Sequence, residues 1–101
     1  MSDNRERPVI SVVMRAYNAA HYIEQAIRSV QAQTMENWEL IVVDDCSTDN
    51  TIQLAQKIAV EDDRIHLLLN DVNQGAAASR NRALDACRGQ YVAFLDSDDM
   101  W

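Results

Sequence analysis

Two places in this sequence concentrate carboxylates. Asp44-Asp45 forms one pair, and Asp96-Ser97-Asp98-Asp99 puts three acids within four residues. Like charges that close repel one another, and a cation relieves the repulsion. Oxygen ligands on so short a stretch suit a hard octahedral ion such as Mg²⁺ or Mn²⁺. One or two carboxylates usually hold such an ion, with water and ligand phosphates completing its shell. Asp96, Asp98 and Asp99 are therefore the candidate metal residues. Loop aspartates also form turns and cap helices, which is the reading preferred for Asp49. Tyr17 reads either as an amphipathic packing residue or as a ring on which a planar base stacks. Asp45 could accept from a base N–H or a sugar hydroxyl. Arg80 could meet a base or phosphates, although Arg80 and Arg82 read equally well as solvated surface charges.

The elements that must position these groups follow from hydrophobic period. Val9–Met14, Trp38–Val43, Ile65–Leu69 and Tyr91–Leu95 are short apolar runs, read as buried strands. Between the first two, Ile23, Ala26, Ile27 and Val30 recur at helical spacing in a segment from Ala19 to about Gln33, with Asn18 as its expected cap. Ser47-Thr48-Asp49-Asn50 offers cap chemistry for a second helix marked by Ile52, Ala55, Ile58 and Ala59. Gly75 opens a third, alanine-rich helix that Arg88-Gly89 closes. The order β-α-β-α-β-α-β with short connections predicts an α/β domain with a parallel four-stranded sheet. Ligands of such sheets bind at the carboxyl edge, where Arg15-Ala16-Tyr17-Asn18, Asp44-Asp45, Asn70 and Asp96–Asp99 all fall.

Bulk properties narrow the function. The chain has 101 residues, 48% hydrophobic and 25% charged, which suits one globular domain or part of one. Its net charge of −7 excludes a nucleic-acid surface, which needs a Lys/Arg stripe to neutralise phosphates. A divalent cation can still bring a phosphate-bearing ligand to an acidic rim. Cys46 and Cys87 have no metal-like spacing and are expected as reduced thiols in a cytosolic setting. Residues 1–8 are polar with no apolar run behind them, so neither a signal peptide nor a membrane span is expected. His21, His66 and Trp38 are read as structural.

At these residues the sequence resembles the family 2 glycosyltransferases, which have the GT-A fold. The resemblance rests on Val9–Met14 with Ala16-Tyr17-Asn18, Ser29 and Gln33-Thr34, then Glu39–Asp45 with Ser47-Thr48-Asp49 and Thr51. Asn73-Gln74-Gly75, Ser79-Arg80-Asn81 and Gly89–Asp99 complete it, all in order. It implies a Rossmann-like (GT-A) open, mainly parallel sheet with helices on both faces, truncated, over residues 9–101. It further implies a nucleotide-diphospho-sugar donor, often a UDP-sugar, and transfer with inversion to a hydroxyl acceptor such as a glycan or lipid-linked sugar. The implied nucleotide-binding set is Ala16, Tyr17, Asn18, Asp45, Arg80 and Asp98. Tyr17 stacks on the base, Asp45 bonds it and Asp98 touches the ribose. Asp99 binds the Mn²⁺ or Mg²⁺ that bridges the diphosphate, supported by Asp96.

Three positions depart from the family pattern. Arg15 stands where proline or a small residue is usual; Cys46 and Ala83 stand for common glycines. Cys46 is expected to avoid positive φ, since a glycine is absent there. In the family the catalytic base follows the Asp-x-Asp motif, so no catalytic residue is assigned in this chain and the base is expected beyond Trp101. The chain is thus read as a donor-binding fragment, inactive alone, prone to self-association through an uncovered sheet edge. The expected location is cytoplasmic, at the membrane's cytoplasmic face in a full-length protein. A non-catalytic nucleotide-binding module is the alternative. A phosphoacceptor receiver domain fits poorly, because its acidic pair follows the first strand and its lysine the fifth, whereas Lys57 here lies on a helix.

Overall fold

The alternating periods fold as expected, into strands and helices in strict rotation. The structure, a computed structural model, describes residues 8–33 and 37–95. Its elements are β1 (Ile10–Ala16), α1 (Ile23–Gln31), β2 (Trp38–Asp44), α2 (Thr51–Glu61), β3 (Ile65–Leu69), α3 (Ala76–Ala86) and β4 (Tyr91–Phe94). The four strands form a parallel sheet in the order β3-β2-β1-β4. β2, buried along its whole length, places apolar residues on both faces, as expected of a central parallel strand. β1 runs two residues beyond the expected Met14 because Arg15 and Ala16 still pair with Val43 and Asp44. The fold class and the helices on both faces are as read from the sequence.

The two faces are held differently. On one, α1 and α2 pack Ile23, Ala26, Ile27, Val30, Ala55 and Ile58 against Val12, Met14, Leu40 and Val42. On the other, α3 brings only Ala83 to Val13, Ile41 and Val43, with Leu68 and Cys87 alongside. Small side chains let α3 lie close, at the cost of apolar area. Ala83, in place of glycine, is fully buried there.

Polar groups compensate at the amino end of that face. Glu39, a buried carboxylate on β2, accepts from Ser11 Oγ at 2.6 Å and from the Arg88 amide at 2.7 Å. His66 Nε2 stands 3.7 Å from its other oxygen. Ser11 Oγ accepts in turn from the Gly89 amide at 2.8 Å, so the α3–β4 connection is tied to β1 and β2. Trp38 is buried under the Arg64 guanidinium, 3.9 Å from its ring centroid, in keeping with a structural role.

α1 departs from expectation at its start. It begins at Ile23 rather than Ala19, and Asn18 does not cap it; Tyr22 is the N-cap and makes no side-chain capping bond. The Asn18 and Ala19 amides are taken by Ser47 Oγ (2.9 Å) and Thr51 Oγ1 (2.8 Å), which bends residues 19–22 into a turn. Both cysteines are free thiols. Among the described residues no helix is long and apolar enough to cross a membrane.

A Cβ at Gly89 would stand 2.7 Å from both the amide nitrogen and Oγ of Ser11. Backbone cannot yield there without breaking the tie to Glu39. Gly89→Ala is expected to destabilise the fold by about 2 kcal/mol, read as a lower urea midpoint at unchanged m-value. An unchanged midpoint would mean that the connection is free to shift.

Candidate functional site

The chain leaves β1 toward β2 and β3 on one side, then returns to place β4 on the other. The strand order therefore reverses at β1, and the crevice at the carboxyl ends of β1 and β4 is where ligands of open α/β sheets bind. Ala16, Asp44 and Leu69 lie level across three strands, so the segments after them share one rim.

The loops after β1 and β2 are laced together. Asn18 Oδ1 accepts from the Thr48 amide at 2.8 Å and from Thr48 Oγ1 at 3.2 Å. Asp49 accepts from the Thr51 amide (3.0 Å), from Thr51 Oγ1 and from the Ala20 amide (3.3 Å). The Thr51 hydroxyl bond is the foremost reason its pKa lies below the ordinary value. Asp49 is thus the turn former expected of it. Asp44 is spent on Ser47, accepting from its hydroxyl at 2.6 Å and its amide at 2.9 Å. This closure turns the chain so sharply that Cys46 adopts φ +65°, which overturns the expectation that it avoids positive φ. Asn18, at φ +48°, also lies in the left-handed region, where asparagine is tolerated.

Asp45 is the centre of the rim. Its side chain is fully buried, and its own amide donates to the Ala16 carbonyl at 2.8 Å. Oδ1 accepts from Asn70 Nδ2 (2.9 Å) and the Gln74 amide (2.7 Å). Oδ2 accepts from Arg15 Nε (3.2 Å), Arg15 Nη2 (2.8 Å) and the Gly75 amide (2.9 Å). Burial alone would raise its pKa. The bonds from Gln74, Asn70, Arg15 and Gly75 overcome that and hold the carboxyl well below the usual carboxylate range. Gly75 can offer its amide because it takes φ +89° as the N-cap of α3.

Of the residues singled out from sequence, Ala16, Tyr17, Asn18 and Asp45 come together here. Ala16 is buried; the Tyr17 side chain stands exposed beside the Arg15 guanidinium, whose Cζ is 5.3 Å from its ring centroid. Arg80 is an exposed residue of α3. Arg82 is the α3 arginine that bonds the end of β3, donating from Nη1 to the Leu69 carbonyl (2.6 Å) and to Asn70 Oδ1 (2.7 Å). Asn70 also reaches the buried Ser79 Oγ at 3.0 Å. Sequence reading put Asn70 on the rim without a role, saw in Arg15 a departure from the family pattern at the donor pocket's mouth, allowed Arg82 to be a solvated surface charge and gave Ser79 no role. Only the clustering of Asn70 and Asp45 at strand ends hinted at their bond. Asp96, Asp98 and Asp99 lie outside the described residues, directly after Leu95, whose amide is anchored to the Val13 carbonyl at 2.9 Å. Among the described residues no acidic, histidine or cysteine cluster could hold a metal.

A parallel sheet whose strand order reverses at a rim that carries an exposed aromatic ring defines an open α/β domain with a ligand-binding edge. Residues 11–101 match the Glycosyl transferase family 2 model, and the chain belongs to that family. It is 50% identical over 95 residues to the Bacillus subtilis glycosyltransferase TuaG, named for teichuronic acid biosynthesis, covering 94% of this chain and 38% of that protein. The S. aureus TarS 1–349 structure in complex with UDP-GlcNAc superposes with a TM-score of 0.85 at 35% identity, over 91% of this chain and 27% of that one. The Pyrobaculum calidifontis mannosyltransferase PcManGT, in complex with GDP-Man and Mn²⁺, has a TM-score of 0.87 at 28% identity, over 100% of this chain and 30% of its own. The chain thus spans well under half of the length of these proteins.

Asp45→Asn keeps the shape but turns an amide toward donors and leaves Arg15 without its counter-charge. A loss of about 3 kcal/mol is expected. Because the folded pKa is depressed, the wild-type contribution is complete above the unfolded value of about 3.9 and is lost as pH falls toward the folded one. Asp62, lowered to about 2 chiefly by its bond from Arg64, adds a second acid-labile carboxylate. Chemical denaturation from pH 7 to 2 should therefore show a shallower acid slope in Asp45→Asn. Equal slopes would mean that Asp45 is not held in its charged form.

Proposed function

We propose that this chain is the donor-binding part, residues 9–101, of a metal-dependent glycosyltransferase that takes its sugar from a nucleotide-diphospho-sugar. A UDP-sugar is the first candidate, and transfer goes with inversion to a hydroxyl acceptor, a glycan or lipid-linked sugar. The observation that carries the reading is the rim at the switch point, where Tyr17 projects from a loop fixed through Ala16 and Asn18 to the β2 loop. UDP-GlcNAc in the TarS structure and GDP-Man with Mn²⁺ in PcManGT support it.

On this reading a base stacks on Tyr17. Asp45 serves recognition by fixing the loops around the base, and accepting from a base N–H requires one of its present donors to give way. Arg80 faces the base or diphosphate, Asp98 the ribose, and Asp99 with Asp96 and Asp98 the cation. Mn²⁺ or Mg²⁺, when bound, neutralises charge gathering on the departing nucleoside diphosphate. We assign the acceptor site and the general base to the length of the relatives that this chain does not span. Exposed Tyr91, Val92 and Phe94 on β4 support self-association of the chain by itself. A full-length protein would work in the cytoplasm, at the membrane's inner face.

Calorimetry with UDP, with and without Mn²⁺, tests the assignment. Binding should require the metal, fall at least tenfold in Asp99→Asn, and fall about tenfold in Tyr17→Ala through lost stacking. A folded chain that binds no nucleoside diphosphate under any metal condition would sink the donor-site reading.

A further inference from the structure

The two oxygens of Asp45 already take five hydrogen bonds. A base laid on Tyr17 therefore has reason to meet a second rim group beside Asp45. Arg15 is placed to do so. It lies at the carboxyl end of β1, partly exposed, between Asp45 and the Tyr17 ring. Nε and Nη2 donate to Asp45 Oδ2, while the Nη1 amino group makes no hydrogen bond among the described residues. Its Cζ lies 5.3 Å from the Tyr17 centroid, farther than the 3.9 Å of Arg64 over the buried Trp38. Asn70, Gln74 and Gly75 share the task of satisfying that carboxylate, so Arg15 need not spend all its donors there.

We propose that Arg15 is a specificity-determining residue of the donor site, donating from its Nη1 amino group to a carbonyl oxygen of the nucleotide base that rests on Tyr17. A guanidinium is planar, permanently charged and offers only donors, so it selects a base edge that presents acceptors. The ion pair with Asp45 fixes its plane in advance, which lowers the entropy cost of the contact. The inference rests on the donor-site reading above.

The test is calorimetry in Mn²⁺ of wild type, Arg15→Ala and Arg15→Lys against UDP and against inorganic pyrophosphate, which lacks a base. UDP affinity should fall about tenfold in Arg15→Ala, with an intermediate loss in Arg15→Lys and pyrophosphate affinity unchanged in both. Equal losses for UDP and pyrophosphate would assign Arg15 to the phosphates and overturn the proposal. Unchanged UDP affinity with a lowered melting temperature would make Arg15 a structural partner of Asp45 and likewise overturn it. Should Arg15→Ala fail to fold, Arg15→Lys decides by the same comparison. Wild type that binds pyrophosphate and no nucleoside diphosphate would refute the base site itself, and this inference with it.

Discussion

A carboxylate with no exposed surface is tenable only if its charge is matched and its lone pairs are filled, and Asp45 meets both conditions with groups from three separate segments. Arg15 comes from β1, Asn70 from the end of β3, and two backbone amides from the loop that opens α3. The two amides in particular tie an otherwise irregular loop to the end of β2. The demand of one buried charge therefore ties the ends of β1 and β3 to the loop that opens α3. The order continues outward, because Asn70 is itself held by Ser79 and Arg82 of α3.

The same logic operates at the opposite end of the α3 face. Glu39 collects Ser11, the Arg88 amide and His66, and through Ser11 the Gly89 amide. Between these polar anchors the packing is thin, with Ala83 the one buried apolar residue contributed by the helix itself. Non-directional apolar contact over so small an area would let α3 slide along the sheet. Directional bonds at both ends of the face fix its register. α1 and α2 bury large aliphatic side chains and need no comparable anchors. The division of labour suits a protein that must place loop groups accurately on the α3 side of its rim.

What the sequence made legible follows from the range of the interactions concerned. Hydrophobic period is local, and it correctly gave four strands, three helices, their order and the buried stripe Ile23, Ala26, Ile27 and Val30. Parallel topology then put Tyr17 and Asp45 on one edge without further information. Two of the three failures involve partners remote in sequence. Asn18 resembled a cap, but Thr48 and Ser47, about thirty residues away, hold it. Cys46 lacked the glycine that signals positive φ, yet the bonds of Asp44 to Ser47 impose that conformation. Asp45 looked free to accept because its donors lie 25 to 30 residues away. Side-chain saturation is a tertiary property, and local pattern carries no trace of it.

That saturation has an electrostatic consequence for the ligand. The acceptors nearest Tyr17 are already engaged: Asp44 with Ser47, Asn18 Oδ1 with Thr48, Asp45 with its five donors. Beside Tyr17 the described rim offers an aromatic face and the Nη1 amino group of Arg15. These suit a planar group rich in acceptors, and they make the base end of the site tolerant of an anionic ligand in a chain whose net charge is −7. The same tolerance does not extend to the end that follows Leu95, where the sequence supplies Asp96, Asp98 and Asp99 and no basic residue. On the proposed reading a diphosphate brought there by the base would meet like charge unless a cation lay between them, and this is why that reading pairs a divalent ion with a nucleoside diphosphate.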